Sequence, residues 1–269
     1  MGAGVAEVAA RAGHDVVLCS RSRATAESAV AAVDAGLGRQ IAKGRLTVDE
    51  RDAIIGRISV TDTITDLADC DLVIESVVEH LATKRALFAE LDAAVKPSAI
   101  LATNTSTLPV VDLATATARP DRVCGIHFFN PAPTMRLVEI VQPLTASTAT
   151  IERAVAFAER CGKEPITVAD HAGFVVNALL FPYLNNAVKM VERGTATVES
   201  IDAAMCGGCG FPMGPLALLD LIGLDTSVAI LETLHSEFGD GNYVPATTLR
   251  RMVSAGRLGR KTGSGFHQY

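Results

Sequence analysis

The chain has 269 residues, of which 49% are apolar and 20% charged, and its formal net charge is -6. This length allows two domains with separate cores, and the composition is that of an ordinary globular protein. The acidic balance argues against a nucleic-acid partner, because neutralising phosphates requires clustered Lys and Arg. No apolar run approaches the ~18 to 20 residues needed to cross a bilayer. The N-terminus shows no signal-peptide pattern either, so we expect a cytoplasmic protein with no membrane partner.

Short β-rich runs alternate with helical patterns in the first part of the chain, which predicts a parallel sheet flanked by helices. The predicted strands are 15–19, 57–60, 72–75, 99–102, 123–127, 137–141 and 164–168. The predicted helices between them are 5–12, 24–43, 83–94 and 148–160. After residue 170 only helical patterns remain, over 174–193, 197–205, 213–237 and 245–255. This change predicts an α/β domain over residues 1–168 and an all-α domain over residues 169–269.

The first residues, Met1-Gly2-Ala3-Gly4, lead into a helix and then a strand. This order is typical of the second half of a dinucleotide-binding βαβ unit. The apolar strand and the Gly-x-Gly turn that should precede it are absent. We therefore expect a Rossmann-type, doubly wound sheet whose first strand is missing, with Gly2 and Gly4 near the coenzyme phosphates. A flexible, glycine-containing N-terminus is the alternative interpretation.

The segment after the first predicted strand reads Ser20-Arg21-Ser22-Arg23. An NAD-specific site would place Asp or Glu at this position, on the ribose 2′-hydroxyl. A hydroxyl and guanidinium groups suit a 2′-phosphate instead, because Arg presents a rigid fork of donors to phosphate. Ser20 and Arg21 therefore favour NADP slightly over NAD. The alternative is that these residues are solvated at the start of a helix.

Six cysteines are scattered along the chain, most of them in apolar or helical surroundings. This distribution indicates reduced, packed thiols in a reducing compartment. Cys206-Gly207-Gly208-Cys209 is formally a CxxC motif, but no second Cys or His pair follows at metal-ligand spacing. The sequence therefore predicts no metal site and does not favour a redox role for this pair.

The most informative stretch is His127-Phe128-Phe129-Asn130-Pro131, followed at some distance by Glu139. His127 ends an apolar run, and Glu139 lies in the middle of the next predicted strand. A carboxylate inside an apolar strand needs a partner, because an unpaired buried charge is very costly. A histidine one strand away can provide it, and the pair would make a general base near neutral pH. A packed core histidine beside a coincidental glutamate is the equally weighted alternative.

Several separated motifs occur in one order along the whole chain. The motifs of the first domain are Met1-Gly2-Ala3-Gly4, Val73-Ile74-Glu75-Ser76-Val77-Val78-Glu79, Thr103-Asn104-Thr105-Ser106 and His127-Phe128-Phe129-Asn130-Pro131. Those that follow are Gly173-Phe174-Val175-Val176-Asn177, Pro212-Met213-Gly214-Pro215, Asp220-Leu221-Ile222-Gly223-Leu224-Asp225 and the tail from Leu258 to Phe266. With these motifs the chain resembles, end to end, the short-chain L-3-hydroxyacyl-CoA dehydrogenases, particularly the bacterial 3-hydroxybutyryl-CoA dehydrogenases.

The resemblance implies an enzyme that interconverts 3-hydroxyacyl-CoA and 3-ketoacyl-CoA with NAD or NADP. His127 would be the general base and Glu139 would orient it, while Ser106 and Asn177 would hydrogen-bond the reacting oxygen and the imidazole region. The residues implied near the nicotinamide end of the coenzyme are Glu79, Lys84, Asn104 and Asn130. The resemblance also implies a homodimer formed through the helical domain, whose apolar run 215–222 suits an interface or an internal core equally.

Arg39 and Lys43 lie on the outer face of the predicted second helix, where they could reach the phosphates of an acyl-CoA substrate. A solvated helix face is an equally weighted interpretation of the two. The truncated phosphate loop also leaves open a second function, a dehydrogenase-like binding protein without turnover. A start codon placed too late, with an active enzyme encoded upstream, is the third expectation.

Overall fold

The computed structural model describes residues 1–269 in full. The chain divides into two compact units, Met1–Asp170 and His171–Tyr269. The strands of the first unit are β1 (Val16–Cys19), β2 (Ile58–Thr61), β3 (Leu72–Glu75), β4 (Ile100–Thr103), β5 (Val123–Phe128), β6 (Leu137–Gln142) and β7 (Glu164–Ala169). Its helices are α1 (Gly2–Arg11), α2 (Arg23–Ala42), α3 (Val48–Gly56), α4 (Leu81–Ala94), α5 (Val110–Ala114) and α6 (Thr148–Arg160).

The strands form two sheets, one of β1 and β2 and one in the order β3-β4-β5-β6-β7. All neighbouring strands are parallel except β5 and β6, which are antiparallel. The parallel-dominated α/β architecture is confirmed, and each strand lies within one residue of its predicted bounds. β1 and β3 each pair with one neighbour only.

The helices of the first unit cover an apolar core on the sheet. Cys124, Ile126, Val138 and Ile140 are fully buried in this core, and α1 packs Val5 against it. A second cluster under α2 and α3 includes Val33 and Leu37, which lie four residues apart on α2.

Helix α3 was not predicted, although the sequence contains its start signal. Thr47 accepts a hydrogen bond from the Glu50 backbone N–H, and the Glu50 carboxylate accepts one from the Thr47 backbone N–H. This capping box satisfies two backbone donors that a helix start leaves without partners. The S/T-x-x-E pattern could therefore have located the helix.

Asp170 marks the end of the first unit. Its carboxylate accepts hydrogen bonds from the backbone N–H groups of Val110 and Val111, at 2.9 and 2.8 Å. These bonds cap α5, because the first N–H groups of a helix have no partner within it. They tie Asp170 to the first unit, so the division falls two residues after the expected position.

Helices and no strands make up the regular elements of the second unit, as the sequence predicted. Its helices are α7 (Val176–Glu192), α8 (Val198–Cys209), α9 (Pro215–Ile222), α10 (Leu224–Phe238) and α11 (Thr247–Ser254). The prediction of one helix over 213–237 was wrong, because Gly223 adopts a φ of 103° and ends α9 before α10 begins. None of the helices combines the length and the apolar character that crossing a bilayer requires.

Two buried carboxylates hold the C-terminal segment in place. Asp220 accepts hydrogen bonds from the backbone N–H groups of Phe266 and His267. Asp202 contacts the His267 ring at 2.8 Å and also accepts from the N–H groups that begin α9. A Cβ at position 265 would come within 1.9 Å of Asp220, so this position requires glycine. The tail motif is therefore explained by packing within the second unit.

Candidate active site

His127 and Glu139 occupy directly opposite positions in the antiparallel pair of β5 and β6. Their side chains meet at 2.8 Å between Nδ1 and Oε2. Only 4% of His127 and none of Glu139 is exposed. Because an ionised carboxylate only accepts hydrogen bonds, Nδ1 carries the proton and donates a hydrogen bond to Glu139. This assignment makes Nε2 the acceptor nitrogen of the neutral ring.

The surroundings of His127 restrict its ring. The Phe129 ring lies at a centroid distance of 4.6 Å, tilted by 55°. A ring held by a carboxylate on one nitrogen and packed against an aromatic side chain presents its other nitrogen in a fixed direction. A buried histidine whose charged form is stabilised by a carboxylate can take up and return a proton.

A second buried charge network lies where β3 and β4 end. Lys84 and Glu75 have only 1% of their side chains exposed, and Lys84 Nζ lies 2.7 Å from Glu75 Oε1. Lys84 Nζ also lies 3.3 Å from Glu79 Oε2. The Thr103 hydroxyl donates to Glu75, and the Val77 backbone N–H does as well. Each buried charge thus has a partner of opposite sign and further hydrogen bonds, as such burial requires.

Glu79 connects this network to the loop that carries Ser106. Its Oε1 accepts hydrogen bonds from the Ser106 backbone N–H at 2.9 Å and from that of Thr107 at 3.3 Å. The Thr105 hydroxyl donates to the same oxygen. Glu79 keeps 38% of its side chain exposed, whereas Lys84 is enclosed. Glu79 is therefore the member of this network that a bound molecule can reach, and Lys84 acts behind it.

Asn104 joins the ends of three strands. Its Nδ2 donates to the Ser76 hydroxyl, and its Oδ1 accepts from the Phe128 backbone N–H at 2.8 Å. These bonds align the loops that follow β3 and β4 with the residue after His127. Asn104 thus has a positioning role that the resemblance did not imply. Asn130, implied near the same pocket, is exposed in the loop after β5.

The start of α1 fits a phosphate group. The helix has no side-chain cap and no acidic residue in its first turn, so no side chain of that turn repels a negative charge there. A Cβ at Gly2 would meet Ser76 at an ordinary 3.6 Å, whereas one at Gly4 would press on Ala132 at 3.3 Å. Gly4 therefore serves the packing of α1, whereas position 2 would have room for a side chain.

Residues 20–23 follow β1, and two of their side chains make contacts at the start of α2. The Ser22 hydroxyl caps α2, and Arg23 pairs with Glu27 at 3.2 Å. Ser20 is half-buried at the end of β1, and Arg21 is exposed. Of the four residues, Ser20 and Arg21 are thus the two whose side chains remain suited to a ribose or its phosphate.

A cavity of about 470 Å³ lies between α1, α2 and the loop after β5. The cationic side chains around it are Arg11, Arg39, Lys43 and Arg45. Arg11 is bound to Glu7 and to Gln40. Arg39, Lys43 and Arg45 are exposed and supply the positive charge. The structure therefore brings together the two predicted residues, Arg39 and Lys43, and adds Arg45, which the sequence did not single out.

Asn177 is the second residue of α7 in the second unit, and its catalytic assignment stays a prediction. Glu75 was missed by sequence reasoning, although it is a carboxylate in the apolar strand β3 and presents the same signal as Glu139. No group of three or more His, Cys, Asp or Glu side chains is arranged to hold a metal ion.

Comparisons with known proteins identify similar chains over the full length. Residues 1–171 match the family described as 3-hydroxyacyl-CoA dehydrogenase, NAD binding domain, and residues 173–269 match its C-terminal domain. A 3-hydroxybutyryl-CoA dehydrogenase of Mycobacterium tuberculosis is 46% identical, with 100% of this chain and 95% of the relative covered. A probable 3-hydroxybutyryl-CoA dehydrogenase of Deinococcus radiodurans is 45% identical, covered to 96% with 100% of this chain. The crystal structure of (S)-3-hydroxybutyryl-CoA dehydrogenase from Ralstonia eutropha superimposes with a TM-score of 0.96 at 42% identity, covering 100% of this chain and 95% of that one.

Proposed function

The chain belongs to the 3-hydroxyacyl-CoA dehydrogenase family, and on that premise we propose that it is an NAD-dependent oxidoreductase interconverting 3-hydroxyacyl-CoA and 3-ketoacyl-CoA. The observation that carries the proposal is the buried His127–Glu139 pair, held in register by β5 and β6. The names of the curated relatives support a short-chain substrate, with 3-hydroxybutyryl-CoA and acetoacetyl-CoA as the pair. The corresponding assignment of residues 1–168 is coenzyme binding, and that of residues 169–269 is dimerisation and substrate binding.

In the proposed mechanism, His127 accepts the proton of the substrate's 3-hydroxyl group at Nε2. Glu139 keeps the hydrogen bond from Nδ1 and stabilises the positive charge that the ring acquires, as the third member of other acid-base groups does. NAD⁺, when bound, would accept the hydride that leaves the carbon bearing this hydroxyl group. In the reverse direction His127 returns the proton to the oxygen of the ketone.

Ser106 is proposed to hydrogen-bond the reacting oxygen. Its backbone is anchored by Glu79, so the loop can present the hydroxyl in one position. Donors aimed at an oxygen that gains charge in the transition state lower the barrier, because they need no reorganisation. Glu79 would face the nicotinamide ribose, with Lys84 setting its position from behind.

The proposed coenzyme contacts are the N-terminus of α1 at Gly2 and, at the adenosine end, Ser20 and Arg21. The absence of an acid in this segment supports use of NADP in addition to NAD. Comparing kcat/KM for the two reduced coenzymes tests this preference. Arg21→Ala should lower kcat/KM with NADPH and leave that with NADH nearly unchanged. An equal loss with both coenzymes would refute a 2′-phosphate contact.

Arg39 and Lys43 are proposed to bind the phosphates of the CoA moiety in the cavity they line. Three exposed cations around one concave surface attract a multiply charged anion, and Arg binds phosphate through paired donors. Arg45 joins them in this assignment.

A homodimer through the helical unit is part of the proposal. Leu216 and Leu219 of α9 are fully buried in the core of the unit, so most of the apolar run there is internal. Large apolar side chains of α7 are exposed instead, with Leu179 at 72%. Light scattering on the purified chain tests the dimer, and Leu179→Glu should shift it towards the monomer. We also propose a cytoplasmic location, which the six free cysteines support.

The experiment for the function is the oxidation of NADH followed by absorbance in the presence of acetoacetyl-CoA. We expect turnover that is fastest with the four-carbon thioester and falls as the acyl chain lengthens. NADH binding without turnover of any 3-ketoacyl-CoA would instead support the non-catalytic binding protein. The intact His127–Glu139 pair does not favour that alternative.

A further inference from the structure

Cys206 and Cys209 lie in the last turn of α8, three residues apart. Residues at this spacing lie on one face of a helix, with Cα atoms about 5 Å apart by α-helical geometry. This Cα separation lies within the range of roughly 4.4 to 6.8 Å that a disulfide spans. The Cβ atoms of a disulfide are about 3.8 Å apart, whereas the Cβ atoms of helical neighbours are about 5 to 6 Å apart. The pair can therefore be bridged if the last turn tightens slightly.

The last turn of α8 has the freedom to tighten. The residues between the cysteines are Gly207 and Gly208, both exposed, and nothing lies within 4 Å of the position of a Cβ on either. The helix ends immediately afterwards at Gly210, which has a φ of 69°. A terminal turn without side chains packed on it can shift at little cost, because helix ends commonly adopt tighter 3₁₀ geometry.

Cys206 and Cys209 differ in their exposure, and both act electrostatically on Tyr183. Burial raises the pKa of the Tyr183 hydroxyl, and Cys209, Asp202 and Cys206 add to this shift. The Tyr183 hydroxyl is buried without a hydrogen-bond partner, and the ring packs edge-on against Phe211 at 5.7 Å. Cys206 is half-buried in these surroundings, while Cys209 is exposed to solvent. One thiol is thus accessible and the other is adjacent to it.

The remaining cysteines are poor competitors for an oxidant. Cys124 is fully buried, and burial raises the pKa of its thiol to about 12. Burial also raises the pKa of Cys161, to about 11, and those of Cys19 and Cys70. Since the thiolate is the attacking form, each of these thiols reacts slowly near neutral pH.

We propose that Cys206 and Cys209 form a dithiol modification site, which a small disulfide such as oxidised glutathione converts into an intramolecular disulfide. The Cys209 thiolate attacks one sulfur of the reagent, forming a mixed disulfide and releasing one glutathione thiolate. The Cys206 thiolate then attacks the Cys209 sulfur and displaces the second glutathione. The two protein thiols lose two electrons and two protons, and the reagent is reduced to two molecules of glutathione.

The test is to incubate the intact native protein in glutathione buffers of increasing oxidised fraction, alkylate it without reduction, and measure its mass. We expect Cys206 and Cys209 to escape alkylation together, in a peptide lighter by two hydrogen atoms and without bound glutathione. Dithiothreitol should restore both thiols. Cys124, which should stay unmodified throughout, reports that the protein remains folded.

The variants separate the proposed exchange from unspecific oxidation. In Cys206→Ser the reaction should stop at a stable glutathione adduct on Cys209, and in Cys209→Ser no intramolecular bond should form. Cys161→Ser is the matched control and should form the disulfide as the wild type does. The proposal would be overturned if the wild-type protein carried separate glutathione adducts on the two residues. It would also be overturned if both thiols stayed free at every buffer composition.

Discussion

His127 and Glu139 are cross-strand neighbours, and their side chains meet at 2.8 Å with both groups buried. Because the two strands are antiparallel, the register of the sheet alone brings the residues together. A slip of one strand by one residue would leave the two side chains on opposite faces of the sheet. The proposed acid-base pair is thus held by two buried strands of the first unit.

Replacing His127 tests its role directly. We expect His127→Gln to lower kcat about 10³-fold, since general acid-base catalysis contributes about 10² to 10⁴. KM for acetoacetyl-CoA should change little, because the interaction is made mainly in the transition state. NADH binding followed by fluorescence serves as the control for an intact fold. Retained turnover in this variant would disprove the assignment.

Glu139→Gln keeps the size of the side chain and removes its charge. We expect kcat to fall about 10²-fold, because the protonated ring of His127 loses its stabilising partner. The double variant with His127→Gln should be no slower than His127→Gln alone, since residues that act as a unit are not additive. Additive losses measured in steady-state kinetics would show that Glu139 acts independently of His127.

Lys84→Met leaves Glu75 as a buried charge with one partner fewer. We expect the free energy of unfolding to fall by about 3 to 5 kcal/mol, as it does when a buried ion pair loses one member. The double variant with Glu75→Gln should recover much of this loss. Urea denaturation measures both effects.

The control for the Lys84 prediction is an exposed ion pair. Lys261 pairs with Asp225, and both side chains are more than a third exposed. Lys261→Met should change stability by less than about 1 kcal/mol, because water screens exposed pairs. Equal losses from Lys84→Met and Lys261→Met would contradict the importance of burial.

Because the cationic cavity is proposed to bind the CoA phosphates, replacing its Arg residues should raise KM only for substrates that carry these phosphates. Arg39→Ala and Arg45→Ala should each raise KM for acetoacetyl-CoA about tenfold, consistent with losing one charge-assisted hydrogen bond. The same variants should leave KM unchanged for the N-acetylcysteamine thioester, which lacks the phosphates. Arg136→Ala, outside the cavity and paired with Glu164, is the matched control. Equal effects on both substrates would refute a phosphate contact.

Cys124 predicts a loss of stability in alkali. Burial raises the pKa of its thiol from 9.0 to about 12, so above pH 9 the unfolded state ionises this group while the folded state does not. Stability from this group is complete below pH 9 and is lost as the pH rises towards 12, by about 1.4 kcal/mol per pH unit. Cys124→Ala should therefore show a shallower decline in urea midpoint between pH 8 and pH 10.5 than the wild type. Parallel declines in the two proteins would contradict the shift.

The local residue pattern was sufficient to locate the strands, because a strand buried in a sheet requires a short run of apolar residues. It also indicated that Glu139 needed a partner and that His127 was available. The same rule applied to Glu75 would have flagged a second buried carboxylate. Thr47 and Glu50 likewise indicate the start of α3, because a capping box needs only residues that are close in sequence.

Tertiary structure alone decided the rest. The register of β5 on β6 determines that His127 faces Glu139, and no local pattern encodes a pairing between strands. Glu79 joins the loop that carries Ser106 because the loops that follow β3 and β4 meet at one edge of the sheet. The exposure of Cys209 beside a half-buried Cys206 follows from what the rest of the second unit leaves uncovered. Sequence by itself located the strands and showed that Glu139 needs a partner, because burial acts on each residue locally, whereas packing decided which partner each buried group met.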